Sequence, residues 1–411
     1  MVLASSQPIH DVTIMADLSN SNDRPIAWIA TDSYGGGSEV WMRRQATSLD
    51  DFDVHVTTLH LANNDSDKSA VPIHVVKGNW IVPRTSLLRW GYKGLLGRFN
   101  PVVSGAEMSP AETRWWNQTI QQHRPSVCLA QFGPMAIHLL PIMKFNSVPL
   151  IAHFHGHDVT ACLKQKGYTR RLREMLNQFD ALVVVAEYQK ETLLELGAKS
   201  NQIHVIPCGV PMPPEVDRTG HAIDQCKFLS VGRLVNKKRP DATLEAFAQM
   251  PNVHHSTLTM VGDGPMRKVC QNIIDRHGIG DRVRMLGACS SQIVASEMRD
   301  ADVFVQHSVT GPDGDREGWP VAIAEAASFG LPIVATRHAS IPTQVVEQKT
   351  GLLVDEHDVA GMSNAMNELA GDGERRQLMG QHGREHIAET SLEIQLSRLQ
   401  SVMQDCICRS K

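Results

Sequence analysis

Short apolar runs alternate with amphipathic stretches along almost the whole chain. PIAWIA, starting at Pro25, reads as a strand. TDSYGGG then turns the chain, and SEVWMRRQATSL follows at helical spacing. The series continues through VHVTTL, VPIHVV, SVCLA, VPLIAHFH, DALVVVA and IHVIP, with helical stretches between the later runs. Strands that are apolar at consecutive positions suit burial on both faces, and their alternation with helices predicts parallel sheets covered by helices. From Val210 the stretch VPMPPEVDRTGHAIDQC, rich in proline and polar residues, breaks the pattern and reads as a linker. A second series follows: KFLSVG, a helix from Pro240, STLTMVG, a helix from Pro265, RVRML, a helix from Ser290, DVFVQ, the helix PVAIAEAASFG and LPIVAT.

The predicted fold class is therefore α/β, with two Rossmann-like parallel-sheet domains facing across a cleft. Residues 1–24 form a leader, expected to be disordered. Residues 25–210 form the first domain, 211–226 the linker, and 227–386 the second domain. The amphipathic end, 387–411, packs on the body of the protein and can cross back to the first domain. Ligands of open α/β sheets bind outside the carboxyl ends of the strands, so the chemistry is expected in loops just after strands.

Composition narrows this picture little. The chain has 411 residues and a formal net charge of −4, which gives no global attraction for nucleic acid. No apolar run is long enough to span a bilayer, and the first residues lack the basic start and apolar core of a signal peptide. The eight cysteines are scattered without a CxxC pair, as expected of reduced thiols in a cytoplasmic protein.

The candidate chemistry lies at strand ends. In REGWPVAIAEAASFGLPIVAT, Glu317 stands in a loop and Glu325 inside the helix that starts near Pro320. That helix start offers free N–H groups to a phosphate, and carboxylates accept hydrogen bonds from vicinal sugar hydroxyls. In VGRLVNKKRPD, Arg233, Lys237, Lys238 and Arg239 follow a strand end, which suits a diphosphate clamp or a solvated basic loop. Gly35, Gly36 and Gly37 allow close backbone approach, but the GxGxxG fingerprint fails at Val40, so a nicotinamide site is disfavoured. In HFHGHD, the histidines His153, His155 and His157 alternate. They share a face only if the strand continues through Gly156, and glycine is expected to end it. A metal-dependent hydrolase centred on these three residues is a rival reading. RTSLLRWGYKGLLGRF, at 84–99, mixes basic and aromatic residues. It suits peripheral contact with an anionic membrane or a packed helix with a solvated basic face.

Together these motifs resemble the retaining GT-B glycosyltransferases of family 4 (group 1). Glu317 and Glu325 match the family's paired glutamates, GRLVNKK its basic loop, Gly36-Gly37-Ser38-Glu39 its GG-x-E turn, and Phe154-His155-Gly156 its FHG-type histidine. The resemblance runs from about Ile26 to Ile387 in the family's order. SVTGPDGDREGWP and AHFHGHDV are most similar to members that build bacterial exopolysaccharides such as colanic acid.

The resemblance implies that Arg233 and Lys238 hold the donor diphosphate, Glu325 the ribose and Glu317 the donor sugar. Backbone amides around Gly318, Trp319 and Pro320 would face sugar or phosphate. His155 would border the reacting sugar, and Gly36 and Gly37 would let the ligands approach. It implies a nucleotide-sugar donor, UDP-sugar in preference to GDP-sugar, and a glycan or lipid-linked acceptor. It also implies no cofactor, no metal and front-face attack. An epimerase or phosphorylase of the same fold is the alternative. Three positions depart from the family's pattern: Arg239 stands for glycine, Ala186 for serine and Cys208 for asparagine.

Overall fold

The structure is a computed structural model that describes residues 24–36, 40–62, 70–77, 108–218, 225–251 and 253–410. Gly37 to Glu39, the basic and aromatic stretch at 84–99, all of the leader but Arg24, and residues 219–224 of the linker lie outside the described residues.

Two parallel sheets carry the chain. The first contains β1 (Ile26–Tyr34), β2 (Asp53–Leu61), β3 (Ile73–Val75), β4 (Val127–Gln131), β5 (Leu150–Phe154), β6 (Ala181–Val184) and β7 (Ile203–Val205). Its spatial order is β3-β2-β1-β4-β5-β6-β7. The second contains β8 (Cys226–Val231), β9 (Ser256–Val261), β10 (Val283–Gly287), β11 (Val303–Gln306), β12 (Ile333–Thr336) and β13 (Gly351–Val354), in the order β10-β9-β8-β11-β12-β13. Both orders reverse beside the first strand of their sheet. Each sheet therefore has a switch point, between β1 and β4 and between β8 and β11, where a crevice opens at the strands' carboxyl ends.

Burial explains the apolar runs. Every residue of β4, β5, β6, β11 and β12 is buried, because helices cover both faces of each sheet. One face of the first sheet packs Trp28, Cys128, Leu150 and Leu182 against the helix Gly133–Phe145 and its neighbours. The other face packs Ile29, Val56 and Leu129 against Met42 and Ala46 of the helix Val40–Ser48 and against Leu399, Met403 and Cys406 of the helix Leu392–Ser410. The last helix of the chain thus completes the core of the first domain.

Its entry runs beside the outgoing linker. Leu392 N–H donates to the Val210 carbonyl at 2.9 Å, and Gly209 N–H donates to Gln395 Oε1 at 2.8 Å. A side chain on Gly209 would collide with the Ser391 carbonyl, so glycine is what lets the two crossings lie against each other. Val185, Cys208, Val210, Trp319, Ala324, Ala327 and Ile387 join the two halves in a small apolar cluster next to these crossings.

Candidate active site

The carboxyl ends of the two sheets face each other, and the sequence-predicted residues fall on both walls. On the second-domain wall, Lys238 ends a short 3₁₀ turn, Asn236–Lys238, after β8. Its Nζ lies 2.9 Å from Glu317 Oε1. Ser308, just beyond β11, donates to the same oxygen at 3.2 Å. Glu317 is 6% exposed. Burial alone would raise its pKa; Lys238 and then Lys237 outweigh that and hold it well below the usual carboxylate range. Its backbone N–H donates to His338 Nε2 at 3.1 Å, while His338 Nδ1 faces Glu356 Oε1 at 2.6 Å. This fixes His338 as the neutral Nδ1–H tautomer, donating to Glu356 and accepting from the Glu317 backbone. Sequence reading passed over His338 and Glu356, which carry no motif of their own.

Arg233 lines one hollow with Gly232, Lys238 and Gln306. It is exposed, and its side chain has no hydrogen bond or ion pair among the described residues. Lys237 turns aside to Asp315 at 2.9 Å. Arg239 has φ 37°, a left-handed conformation that costs a side-chain-bearing residue and that glycine adopts freely. This accounts for the glycine expected there; Arg239 holds the turn and pairs its guanidinium with Asp241 at 3.0 Å.

Glu325 sits in the helix Val321–Ser328, whose N-cap, Pro320, makes no side-chain cap. Pro320 has no N–H, so the expectation that its amide would face a phosphate is corrected. Its carbonyl instead accepts from Ile323 at 3.0 Å and from Ala324 at 3.4 Å, and the donors left free are the N–H groups of Gly318, Trp319, Val321 and Ala322. Trp319 is 9% exposed and packs at the join of the two domains.

The first-domain wall is of another kind. β5 ends at Phe154, and Gly156 has φ 140°, so His157 leaves the face that His153 and His155 share, where their rings lie 4.2 Å apart. His153 is fully buried, with no partner on either ring nitrogen, and burial pushes its pKa down to about 3. His157 turns out toward Asp315 of the second domain, 3.6 Å away. The hydrolase reading is corrected on this geometry: among the described residues these three rings do not gather around one point.

His155 is the residue aimed at the cleft. Gln131 donates its amide to Gln45 at 3.0 Å, which leaves its Oε1 to accept from His155 Nε2 at 2.8 Å. The ring stacks on Trp41 with centroids 4.1 Å apart and touches Phe132 at 4.9 Å. Burial, then His153, keeps its pKa well below the ordinary value, so it is a neutral Nε2–H imidazole. Cys208 Sγ lies 4.0 Å from Nδ1, occupying the place of the expected asparagine amide. Asp158 fixes the loop by accepting from the backbone N–H groups of Gly133, His155 and Gly156.

The walls touch where two glycines allow it. A side chain on Gly318 would fall on the His155 carbonyl, and one on Gly156 would meet the Gly318 backbone. Tyr188 donates to the Glu317 carbonyl at 2.8 Å, and the Arg316 guanidinium lies over the Tyr188 ring, 4.8 Å from its centre. Arg44 reaches across to Glu325 at 2.6 Å. Trp41, Arg44 and Gln45 are one helix face at three- and four-residue spacing, the signal in SEVWMRRQATSL that could have found them. Gly36 is partly buried in the turn between β1 and this helix.

Two family models match, in the order the architecture requires: Glycosyltransferase Family 4 over residues 35–212 and Glycosyl transferases group 1 over residues 213–386. The chain belongs to the GT-B glycosyltransferases of group 1. Among curated relatives, it is 30% identical over 253 residues to WcaL of Escherichia coli, named as a colanic acid biosynthesis glycosyltransferase. That match covers 61% of this chain and 62% of the relative, less than two thirds of its length. AmsK of Erwinia amylovora, named for amylovoran biosynthesis, is 26% identical over 53% of this chain and 54% of its own. A GDP-mannose-dependent phosphatidylinositol monomannoside mannosyltransferase of Mycolicibacterium smegmatis is 27% identical over 62% of this chain and 68% of its own. Among solved structures, sucrose-phosphate synthase from Thermosynechococcus elongatus superposes with a TM-score of 0.74 at 18% identity, over 94% of this chain and 100% of that one. Anabaena HepE, solved with UDP and glucose, gives 0.72 at 17% identity, over 93% and 99%. These two establish the shared fold.

Proposed function

We propose that this protein transfers a sugar, with retention of configuration, from a nucleotide sugar to a hydroxyl of a glycan or lipid-linked acceptor in exopolysaccharide synthesis. The observation that carries the proposal is the pair of half-buried Lys238 with buried Glu317 at the head of the Val321–Ser328 helix, opposite His155. A lysine, an unpartnered arginine and a helix N-terminus in one crevice suit a diphosphate, and two carboxylates beside them suit sugar hydroxyls.

In the proposed reaction the anomeric C–O bond to the β-phosphate breaks, and negative charge grows on the leaving diphosphate. Lys238, Arg233 and the free amides near Gly318 stabilise that charge. The acceptor hydroxyl attacks from the same face and gives its proton to the departing phosphate oxygen. His155, neutral and already donating to Gln131, positions the sugar rather than taking the proton. Fixed cations serve the leaving group, so no divalent ion is needed for the transfer. The names of the relatives and of the HepE structure support UDP- and GDP-sugars as the donors to try first.

The test is release of nucleoside diphosphate from a panel of UDP-, GDP- and ADP-sugars, with glycan acceptors, in the presence and absence of EDTA. Product configuration is read by NMR. Acceptor-dependent release with a retained anomer in EDTA is expected. An inverted product, or a transfer that only a divalent ion restores, overturns the mechanism. An epimerised donor formed without acceptor overturns transfer itself.

A further inference from the structure

The strongest cluster of ligand atoms outside the cleft lies at the opposite end of the first sheet. His55 is near the start of β2, His74 is on edge strand β3, and His123 is the last residue of the helix Pro110–His123. One ring nitrogen from each lies within 4.8 Å of the others. His55 Nδ1 and His74 Nε2 are 3.0 Å apart, and the His74 and His123 ring centres are 4.5 Å apart. We propose that His55, His74 and His123 bind one zinc(II) ion, which clips the edge strand β3 and the helix Pro110–His123 to β2.

The geometry fits a small d¹⁰ ion. Tetrahedral zinc holds imidazole nitrogens at about 2.0–2.1 Å, which sets ligand nitrogens roughly 3.4 Å apart. Two of the three ligands stand 3.0 Å apart and need to part by about 0.4 Å to reach that spacing, and the third needs a ring adjustment at the partly exposed His123. The outer shell is also in place. His55 points Nδ1 into the cluster while its Nε2 faces Asp53 Oδ2 at 3.5 Å. A carboxylate behind a ligating imidazole fixes the ring's tautomer and raises its basicity. The helix ends at the site, so its C-terminal carbonyls favour a cation there. Water completes the coordination.

The ligands join segments distant in the chain. An ion bound only by the folded arrangement stabilises it, and tying together residues as far apart in sequence as His74 and His123 adds to the gain. The cluster lies where β1, β2 and β4 begin, away from the strand ends that carry Glu317 and His155. The role is therefore structural and separate from transfer.

The test uses the full chain, purified without a histidine tag and stripped with chelator. Zinc titrated by calorimetry is expected to bind at one equivalent and to raise Tm. Cobalt(II) is expected to give tetrahedral d–d bands without the charge-transfer absorption of a thiolate. His74→Ala and His123→Ala, checked for folding by circular dichroism, should each lose the tight equivalent, and Asp53→Asn should weaken binding about 10-fold. Nucleoside diphosphate release well below Tm should be the same with and without zinc. No stoichiometric binding by the unaltered chain overturns the proposal. So do unchanged binding in both folded alanine variants and a thiolate signature in the cobalt form. If a variant fails to fold, the stoichiometry and cobalt spectrum of the unaltered chain still decide.

Discussion

The two walls of the cleft solve different problems with different chemistry. The second-domain wall is built of charged groups: Lys238 paired with Glu317, Lys237 paired with Asp315, and Glu356 held by neutral His338. The first-domain wall is neutral: an imidazole held by an amide, stacked on Trp41 and beside Phe132, with the thiol of Cys208 behind it. Charge belongs where a diphosphate leaves, because fixed cations there need no reorganisation as the leaving group gains charge. Neutral donors, acceptors and ring faces suit sugars, which carry hydroxyls and no net charge. If this division is right, substitutions on the charged wall reduce turnover, and those on the neutral wall change binding and positioning.

The largest effect is expected at Lys238. Lys238→Ala removes a donor to the leaving phosphate and leaves the buried Glu317 carboxylate unpaired. Turnover should fall about 10²–10³-fold, as for loss of one preorganised oxyanion donor. Breaking a buried pair from one side also destabilises by roughly 3–5 kcal/mol, visible as a lower Tm. Arg233→Ala makes the comparison sharper. Arg233 is exposed and has no partner to strand, so its loss should lower turnover by orders of magnitude with Tm almost unchanged. Near-normal turnover in both variants would remove the charged-wall half of the comparison.

Arg44 comes next, because it belongs to the neutral wall by position and to the charged wall by partner. Its pair with Glu325 is partly exposed, with each side chain about a fifth accessible. An interaction of this kind is worth about 1 kcal/mol at most, equivalent to roughly a 5-fold change in affinity. Arg44→Ala should raise the donor KM by up to that factor and leave kcat near normal. A large loss of kcat with KM unchanged would show that Arg44 acts on the leaving group, and would break the division between the walls.

How much of this was legible follows from the same contrast. Both Rossmann-like sheets could be read because strands buried on two faces write continuous apolar runs such as DALVVVA and DVFVQ. Lys238, Glu317 and Glu325 could be read because charges at strand ends and helix starts stand out against those runs. Trp41, Arg44 and Gln45 left only the weak signal of a shared helix face. Their helix face resembles any amphipathic surface until the second domain is laid across it. His338 and Glu356 sit in adjoining loops far along the chain and meet Glu317 only through folding. In HFHGHD, the alternation offered a shared face. Gly156, with its positive φ, turns His157 away to the other domain, while His153 and His155 keep that face with their rings 4.2 Å apart.

The contact between the walls gives a pH test. Asp315, then Cys162, raises the pKa of His157 above its ordinary value. A group whose pKa is higher folded than unfolded contributes its stability in full below the unfolded value, about 6.5, and loses it as pH rises past that point. Tm should therefore carry a His157-dependent decline above about pH 6.5. His157→Gln should flatten that decline, leaving the pH dependence due to other groups. Identical Tm profiles for the two proteins would mean that the charged wall does not reach across to this loop.

The smallest effect concerns how firmly the neutral wall is held. Ala186 is the N-cap of the helix Glu187–Glu195, in extended conformation and without a side-chain cap. Tyr188, in the first turn of that helix, donates to the Glu317 carbonyl. Serine at the cap can accept from a first-turn N–H, which stabilises a helix by about 0.5–2 kcal/mol relative to alanine. Ala186→Ser should therefore raise Tm by roughly 2–4 °C, the shift expected of about 1 kcal/mol in domains of this size. Because Tyr188 touches backbone and no reacting group, turnover should stay within about 2-fold, the spread left by context. A gain in Tm accompanied by a large change in turnover would mean that motion of this helix limits the reaction, and that the neutral wall does more than position sugar.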